Sequence, residues 1–133
     1  MKKAVLCATL KSAPEKVWRV VTDNAGCNWR SDLSKIEASA DGVRFIEYTK
    51  AGFVTHFVIT AMEPYTRYTF SLENDNLRGN WTGLFREAPG GGTEMELTEE
   101  ITLKKPWLHL FAIPYLKKQQ ALYLADLKKA LGE

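Results

Sequence analysis

The sequence predicts an α+β fold. A curved, seven-stranded antiparallel sheet wraps a long C-terminal helix, and two short helices lie between the first and second strands. Three observations carry this reading. From Pro114 to Leu131, Leu116, Gln120, Tyr123, Leu124, Leu127 and Leu131 fall on one helical face, with Lys117, Lys118, Ala121, Ala125, Lys128 and Lys129 opposite. From Leu33 to Lys104 no helical periodicity appears, and turn signals recur at Ala40-Asp41-Gly42, Ala51-Gly52, Glu63-Pro64, Asn74-Asp75-Asn76 and Gly90-Gly91-Gly92. The strands between these turns alternate, so the sheet has one wet and one dry face, and the helical stripe is what would cover the dry one.

In chain order, Lys3–Lys11 mixes small and β-branched residues and reads as the first strand. Ser12-Ala13-Pro14-Glu15 reads as a helix start, with Ser12 as cap, Glu15 closing a capping box and Pro14 in the first turn. The helix Ala13–Thr22 carries Val17, Trp18, Val20 and Val21 inward, and Asp23-Asn24-Ala25-Gly26 ends it. A second short helical turn is expected near Asn24–Asn28, followed by the polar-aromatic joint Trp29-Arg30-Ser31-Asp32.

Six strands follow, near 33–39, 43–50, 53–62, 65–73, 77–87 and 93–104. Short connections make neighbours antiparallel. Tyr68, Phe70 and Leu72 share a face, as do Trp81, Gly83 and Phe85, and Met95, Leu97 and Ile101. Trp107–Ile113 is an apolar segment before the long helix, and Pro114 must either start that helix or kink it. The segment can line a pocket mouth, form a dimer or membrane-surface patch, or pack over the open end of the sheet. Gly132 stands where a C-cap belongs, and Lys128 and Lys129 complement the helix dipole.

At 133 residues the chain is expected to form one domain, 1–133. A hydrophobic fraction of 45% supports a core, and a net charge of +2 without a long basic run argues against nucleic acid as a partner. No run approaches a membrane span or a signal-peptide core, so a soluble cytoplasmic protein without stable membrane insertion is expected, as monomer or homodimer. Cys7 and Cys27 make no metal pattern and are expected as free thiols. His56 and His109 have no metal-ligand spacing, and no cofactor fingerprint is present, so neither metal nor cofactor is expected.

The order strand, two short helices, six strands, long helix resembles the START-related helix-grip superfamily, which includes polyketide cyclase-like proteins and the major birch pollen allergen. The resemblance rests on Ser12–Trp18, Trp29, Trp81-Thr82-Gly83, Gly91-Gly92-Thr93 and Tyr115–Leu131, and covers almost the whole chain. It implies a helix-grip fold with space for a ligand between sheet and helix. It does not imply one activity, because the group hosts carriers, cyclases, hydrolases and co-chaperones.

Glu99 is the most informative candidate. It lies in phase with Met95, Leu97 and Ile101, so the pleat turns it inward, where a carboxylate must be paired, protonated or functional. Three readings stay open: a catalytic or anchoring group in a cavity, an ion pair with Arg30, or outward placement through a bulge. Arg30 can hold a ligand carboxylate or phosphate, and Asp32 either orients it or silences it. Asp32 joins Glu99 as a catalytic candidate. Glu47, in phase with Val43 and Phe45, is a further inward carboxylate candidate. Trp29, Phe57, Tyr68, Phe70, Trp81, Phe85, Met95 and Tyr123 are candidate ligand walls. Gly83 between two aromatics and Gln119 and Gln120 by the buried stripe point to incomplete filling. The leading expectation is a binder of a small, largely hydrophobic molecule. The alternatives are a cyclase/dehydratase-like enzyme using Glu99 with Asp32 or Glu47, and a co-chaperone-like interaction protein.

Overall fold

The computed structural model describes residues 1–25 and 28–133. Seven strands form one antiparallel sheet: β1 (Lys2–Leu10), β2 (Leu33–Ala38), β3 (Arg44–Thr49), β4 (Val54–Glu63), β5 (Arg67–Glu73), β6 (Leu77–Glu87) and β7 (Thr93–Leu103). Their spatial order is β1-β7-β6-β5-β4-β3-β2. Each strand from β2 onward thus pairs with its sequence neighbour, and only β1 is added from a distance, along β7. Helix α1 (Pro14–Val21) links β1 to the loop before β2, and α2 (Ala112–Leu131) closes the dry face.

The alternation expected from the sequence is present in the burial. Along β6, Leu77, Trp81, Gly83 and Phe85 are buried while Arg78, Asn80, Leu84 and Arg86 are exposed. The core joins these to Leu97 and Ile101 of β7, Val17 and Val21 of α1, and Leu116, Leu127 and Leu131 of α2. Helix α2 ends on Gly132, whose φ of 78° suits a residue without Cβ. The Lys16 ammonium of α1 donates to the Leu131 carbonyl at 3.0 Å and ties the two helices together.

Several local expectations need correction. Ser12 does not cap α1, and no capping box forms. Ala13 holds the cap position, one residue later than expected and without a side-chain acceptor, and the Ser12 N–H and hydroxyl donate to the Glu133 carboxylate at 3.0 and 2.8 Å. Helix α2 begins at Ala112, two residues before Pro114, so the proline sits in the first turn, where its missing N–H is not needed. The apolar segment before it is a 3-10 helix, Pro106–Phe111. β5 starts at Arg67, because Tyr65 takes a φ of 69° in the preceding turn. Among the described residues only α1 precedes β2 as a helix, and the expected second turn near Asn24–Asn28 falls partly on Gly26 and Cys27, outside the described residues. Cys7 is a free, exposed thiol.

Candidate functional site

Between the sheet and α2 lies a cavity of about 650 Å³. It exists because one helix cannot fill the concave side of a seven-stranded sheet along its whole length. Where α1 and α2 meet β6 and β7 the interior is solid. Toward the 3-10 helix and the β3–β4 and β5–β6 turns the two layers part, and the space opens outward past Phe53, Asn76 and Phe111.

The walls are mostly apolar. Phe57, Phe70 and Trp81 line the sheet side, with Phe70 stacked on Trp81 at 4.7 Å between ring centroids. Leu72, Leu97 and Leu103 fill the spaces between them, and Tyr123, Gln119 and Tyr115 face them from α2. Phe45 stacks on Phe57 from behind at 4.6 Å, so the aromatic wall is fixed on both sides.

Polar groups gather at the inner end. The Arg30 guanidinium donates through Nε and Nη2 to both carboxylate oxygens of Asp32 at 3.2 Å, and through Nη1 to Glu47 at 3.5 Å. Its face lies 5.2 Å from the Tyr123 ring and 5.6 Å from the Trp29 ring. Burial works against the charge on Arg30, but Glu47 and Asp32 outweigh it and hold the pKa above its usual value. Glu47 is pushed up by burial and pulled back by Arg30.

Glu99 is the exception in this cluster. The β7 register runs unbroken against both β1 and β6, with Glu99 opposite Ala4 and Trp81, so no bulge turns it outward. It reaches the cavity and, among the described residues, has neither a hydrogen-bond nor an ion-pair partner. Arg30, the expected counter-ion, is already taken by Asp32 and Glu47. Burial, with the nearby Glu47 charge adding to it, lifts the Glu99 pKa from 4.5 to about 7, against a smaller opposing pull from Arg30.

The structure thus brings Arg30, Asp32, Glu47, Phe57, Phe70, Trp81, Glu99, Gln120 and Tyr123 to one cavity. Four expected wall residues lie elsewhere. Phe85 and Met95 are buried at 4% and 2% exposure in the solid part of the core, with Phe85 edge-on to Trp18. Tyr68 is sealed off too, accepting a hydrogen bond from the Asn24 side-chain amide at 3.0 Å. Trp29 packs edge-on against Tyr123 behind the cavity. In-phase placement on a strand fixes the face, but position along the strand decides between core and cavity. Gly83 also misled. The Trp81 and Phe85 rings occupy its missing side chain's space, and a Cβ there would lie 2.8 Å from Trp81. Gln120 is buried and donates to the carbonyls of Ala4 at 2.9 Å and Leu97 at 3.5 Å, so its amide N–H groups are directed to backbone.

Asp126 went unnoticed in the sequence. It accepts from the Ser31 N–H at 2.8 Å and the Ser31 hydroxyl at 2.9 Å, and so pins the Arg30-bearing loop to α2. The signal was there: a carboxylate three residues after Tyr123 and directly before Leu127, at the edge of the buried stripe. His56 and His109 are both exposed, and no group of three or more metal-ligating side chains exists among the described residues. No helix among those residues is long and apolar enough to cross a membrane.

A family model described as polyketide cyclase / dehydrase and lipid transport matches residues 1–132. Among solved structures, the chain is similar to a START superfamily protein from Mycobacterium smegmatis, with 10% identity, a TM-score of 0.84, and coverage of 96% of this chain and 95% of that one. A protein from Mesorhizobium loti gives 21% identity and a TM-score of 0.80, covering 98% and 97%. XoxI from Bacillus cereus gives 16% and 0.81, covering 98% and 95%. At these identities the likeness is one of fold, which is START-like. No curated protein matches the sequence.

Proposed function

The chain belongs to the polyketide cyclase / dehydrase and lipid transport family, and from that premise we propose that it binds a small, largely apolar molecule, aromatic or lipid-like, between the sheet and α2. One observation carries the reading: a cavity of about 650 Å³ with aromatic and aliphatic walls and its charged groups collected at one end. Small-molecule sites are of this kind, roughly 300–1,000 Å³, mostly apolar, with a few placed polar groups that fix orientation. The ligand's body lies along Phe70, Trp81 and Tyr123, and its polar end meets the cluster around Glu99.

Native mass spectrometry of the purified protein is expected to show a retained apolar molecule. The neutral dye Nile red is expected to enter the emptied cavity, with its emission rising and shifting to the blue. Leu103→Trp, which puts a large ring on a half-buried lining position, is expected to reduce that signal strongly. A dye that finds no site, or one indifferent to Leu103→Trp, sinks the proposal.

A second reading has its own observation. Glu99, with a pKa of about 7 beside Glu47, suits a general acid or base at neutral pH, as a cyclase or dehydratase acting on a polyketone-like substrate requires. In this reading Glu99 moves the proton, and burial, with the Glu47 charge adding to it, keeps its pKa raised. Asp32, held by Arg30, positions that guanidinium rather than reacting. Glu99→Gln that keeps ligand binding and loses turnover is the result this reading needs.

A further inference from the structure

We infer that the inner end of the cavity is built for an ammonium group, so that the ligand is an amphipathic amine whose charged head meets Glu99 and whose apolar body follows Phe70 and Trp81. This rests on the cavity-binding reading and narrows it to a chemical class.

The inference follows from what each inner group already does. Three carboxylates, Asp32, Glu47 and Glu99, stand there against one guanidinium. Arg30 directs its fork into Asp32 at 3.2 Å twice and into Glu47 at 3.5 Å. Its ring-facing surface is covered by Tyr123 and Trp29. A ligand carboxylate or phosphate arriving at this end would find no uncommitted cation among the described residues. Lys50 is the other cation on the lining, and it is exposed at the mouth. Besides the Tyr115 and Tyr123 hydroxyls, what remains open to the ligand at this end is acceptor. Glu99 has both oxygens without a partner among the described residues, and Gln120 has turned its N–H groups toward the backbone. An ammonium supplies donors and a charge, leaves the Arg30 network intact, and finds aromatic faces nearby.

The pH dependence follows from every titratable group at this end: Glu99 from β7, Glu47 from β3, Arg30 and Asp32 from the loop leading into β2, and Tyr115 and Tyr123 from α2. With Glu99 titrating at about 7, an ammonium ligand must displace its proton below that pH and need not above it. Amine affinity therefore rises with pH up to about 7, by as much as about tenfold per pH unit, and levels off beyond it. A neutral alcohol of the same shape shows no such rise.

The test uses naphthylmethylamine, naphthylmethanol and naphthoate, which share an aromatic body and differ in the head group. Each is titrated against Nile red on the wild-type chain and on Glu99→Gln. Naphthylmethylamine is expected to bind tightest above neutrality, roughly tenfold or more ahead of naphthoate, and to lose most of that lead in Glu99→Gln. Naphthylmethanol or naphthoate binding as tightly as the amine overturns the inference. So does an amine lead that survives Glu99→Gln, or an amine that fails to displace a dye which still binds. Failure of Nile red itself is a different result, and it falls on the cavity-binding reading.

Discussion

Glu99→Gln should make the protein more stable, and only at the higher pH values. The wild-type carboxyl has its pKa lifted from 4.5 to about 7, chiefly by burial and then by Glu47. Each pH unit between folded and unfolded values corresponds to about 1.4 kcal/mol, so the gap holds roughly 3 kcal/mol against the ionised folded state. The sign follows from proton binding. Below the unfolded value the carboxyl is protonated in both states, and Glu99 does not penalise folding. As pH rises from 4.5 to about 7, the unfolded chain gives up its proton and the folded one keeps it, so the wild type progressively loses stability. Glutamine resembles the protonated acid in size and cannot ionise. Urea unfolding of both chains at about pH 4 and about pH 8.5, with matched m-values, is the assay. The variant is expected to equal the wild type at the low pH and to exceed it by roughly 2–3 kcal/mol at the high one. Titrating groups that do not interact with Glu99 are common to both chains and cancel in the difference. A difference that stays the same across that range, or a variant less stable at high pH, would refute the claim that Glu99 lies uncompensated inside.

Arg30→Met removes the one cation among three carboxylates and leaves Asp32 and Glu47 unpaired. It is expected to lower stability by about 3–5 kcal/mol at neutral pH, with part of the loss recovered in acid as the carboxylates protonate, read by urea unfolding across pH. Asp126→Ala deletes two hydrogen bonds to Ser31, and a loss of roughly 1.5–3 kcal/mol is expected by the same assay, together with weaker ligand retention as the Arg30 loop loosens. Gly83→Ala forces a Cβ to 2.8 Å from Trp81. A cost of about 1–3 kcal/mol and a changed tryptophan emission are expected, and a neutral outcome would mean the ring has room to move.

The fold was legible because its two signals are long and strictly periodic. Five turns of stripe on α2, and the recurrence of Trp81, Gly83 and Phe85 at every second residue of β6, carry it. The helix boundaries were less legible, because they depend on partners distant in sequence. Ser12 has the chemistry of a cap, but the helix starts one residue later, and its hydroxyl is turned to Glu133, over a hundred residues away. The site was legible by face and not by depth. Phase placed Glu99, Trp81 and Phe57 inside correctly, and it placed Phe85 and Met95 inside just as well. What separates them is where along the strands α2 pulls away from the sheet, which no local pattern encodes. The Arg30 pairing was open in the sequence for a related reason. Three carboxylates competed for it, and the choice rests on the geometry of a loop fixed by Asp126 from the opposite layer.

That last contact bears on how the site responds to its ligand. The inner polar cluster is not mounted on one element. Arg30 and Asp32 come from the loop before β2, Glu47 from β3, Glu99 from β7, and Tyr123, which covers the guanidinium, from α2. Asp126 sits three residues beyond Tyr123 and holds the loop to the same helix, so a displacement of α2 would disturb the Arg30 network. The uncompensated charge of Glu99 acts against the folded arrangement whenever it is ionised. A ligand that neutralises Glu99 therefore removes a cost of folding, and its binding energy appears as added stability of the folded chain. Above neutrality, a bound amine should raise the unfolding midpoint of the wild type more than that of Glu99→Gln, while Nile red, which has no charge to offer, should raise both alike. Equal amine stabilisation of the two chains would mean that Glu99 and the clasp of α2 on the sheet are energetically separate.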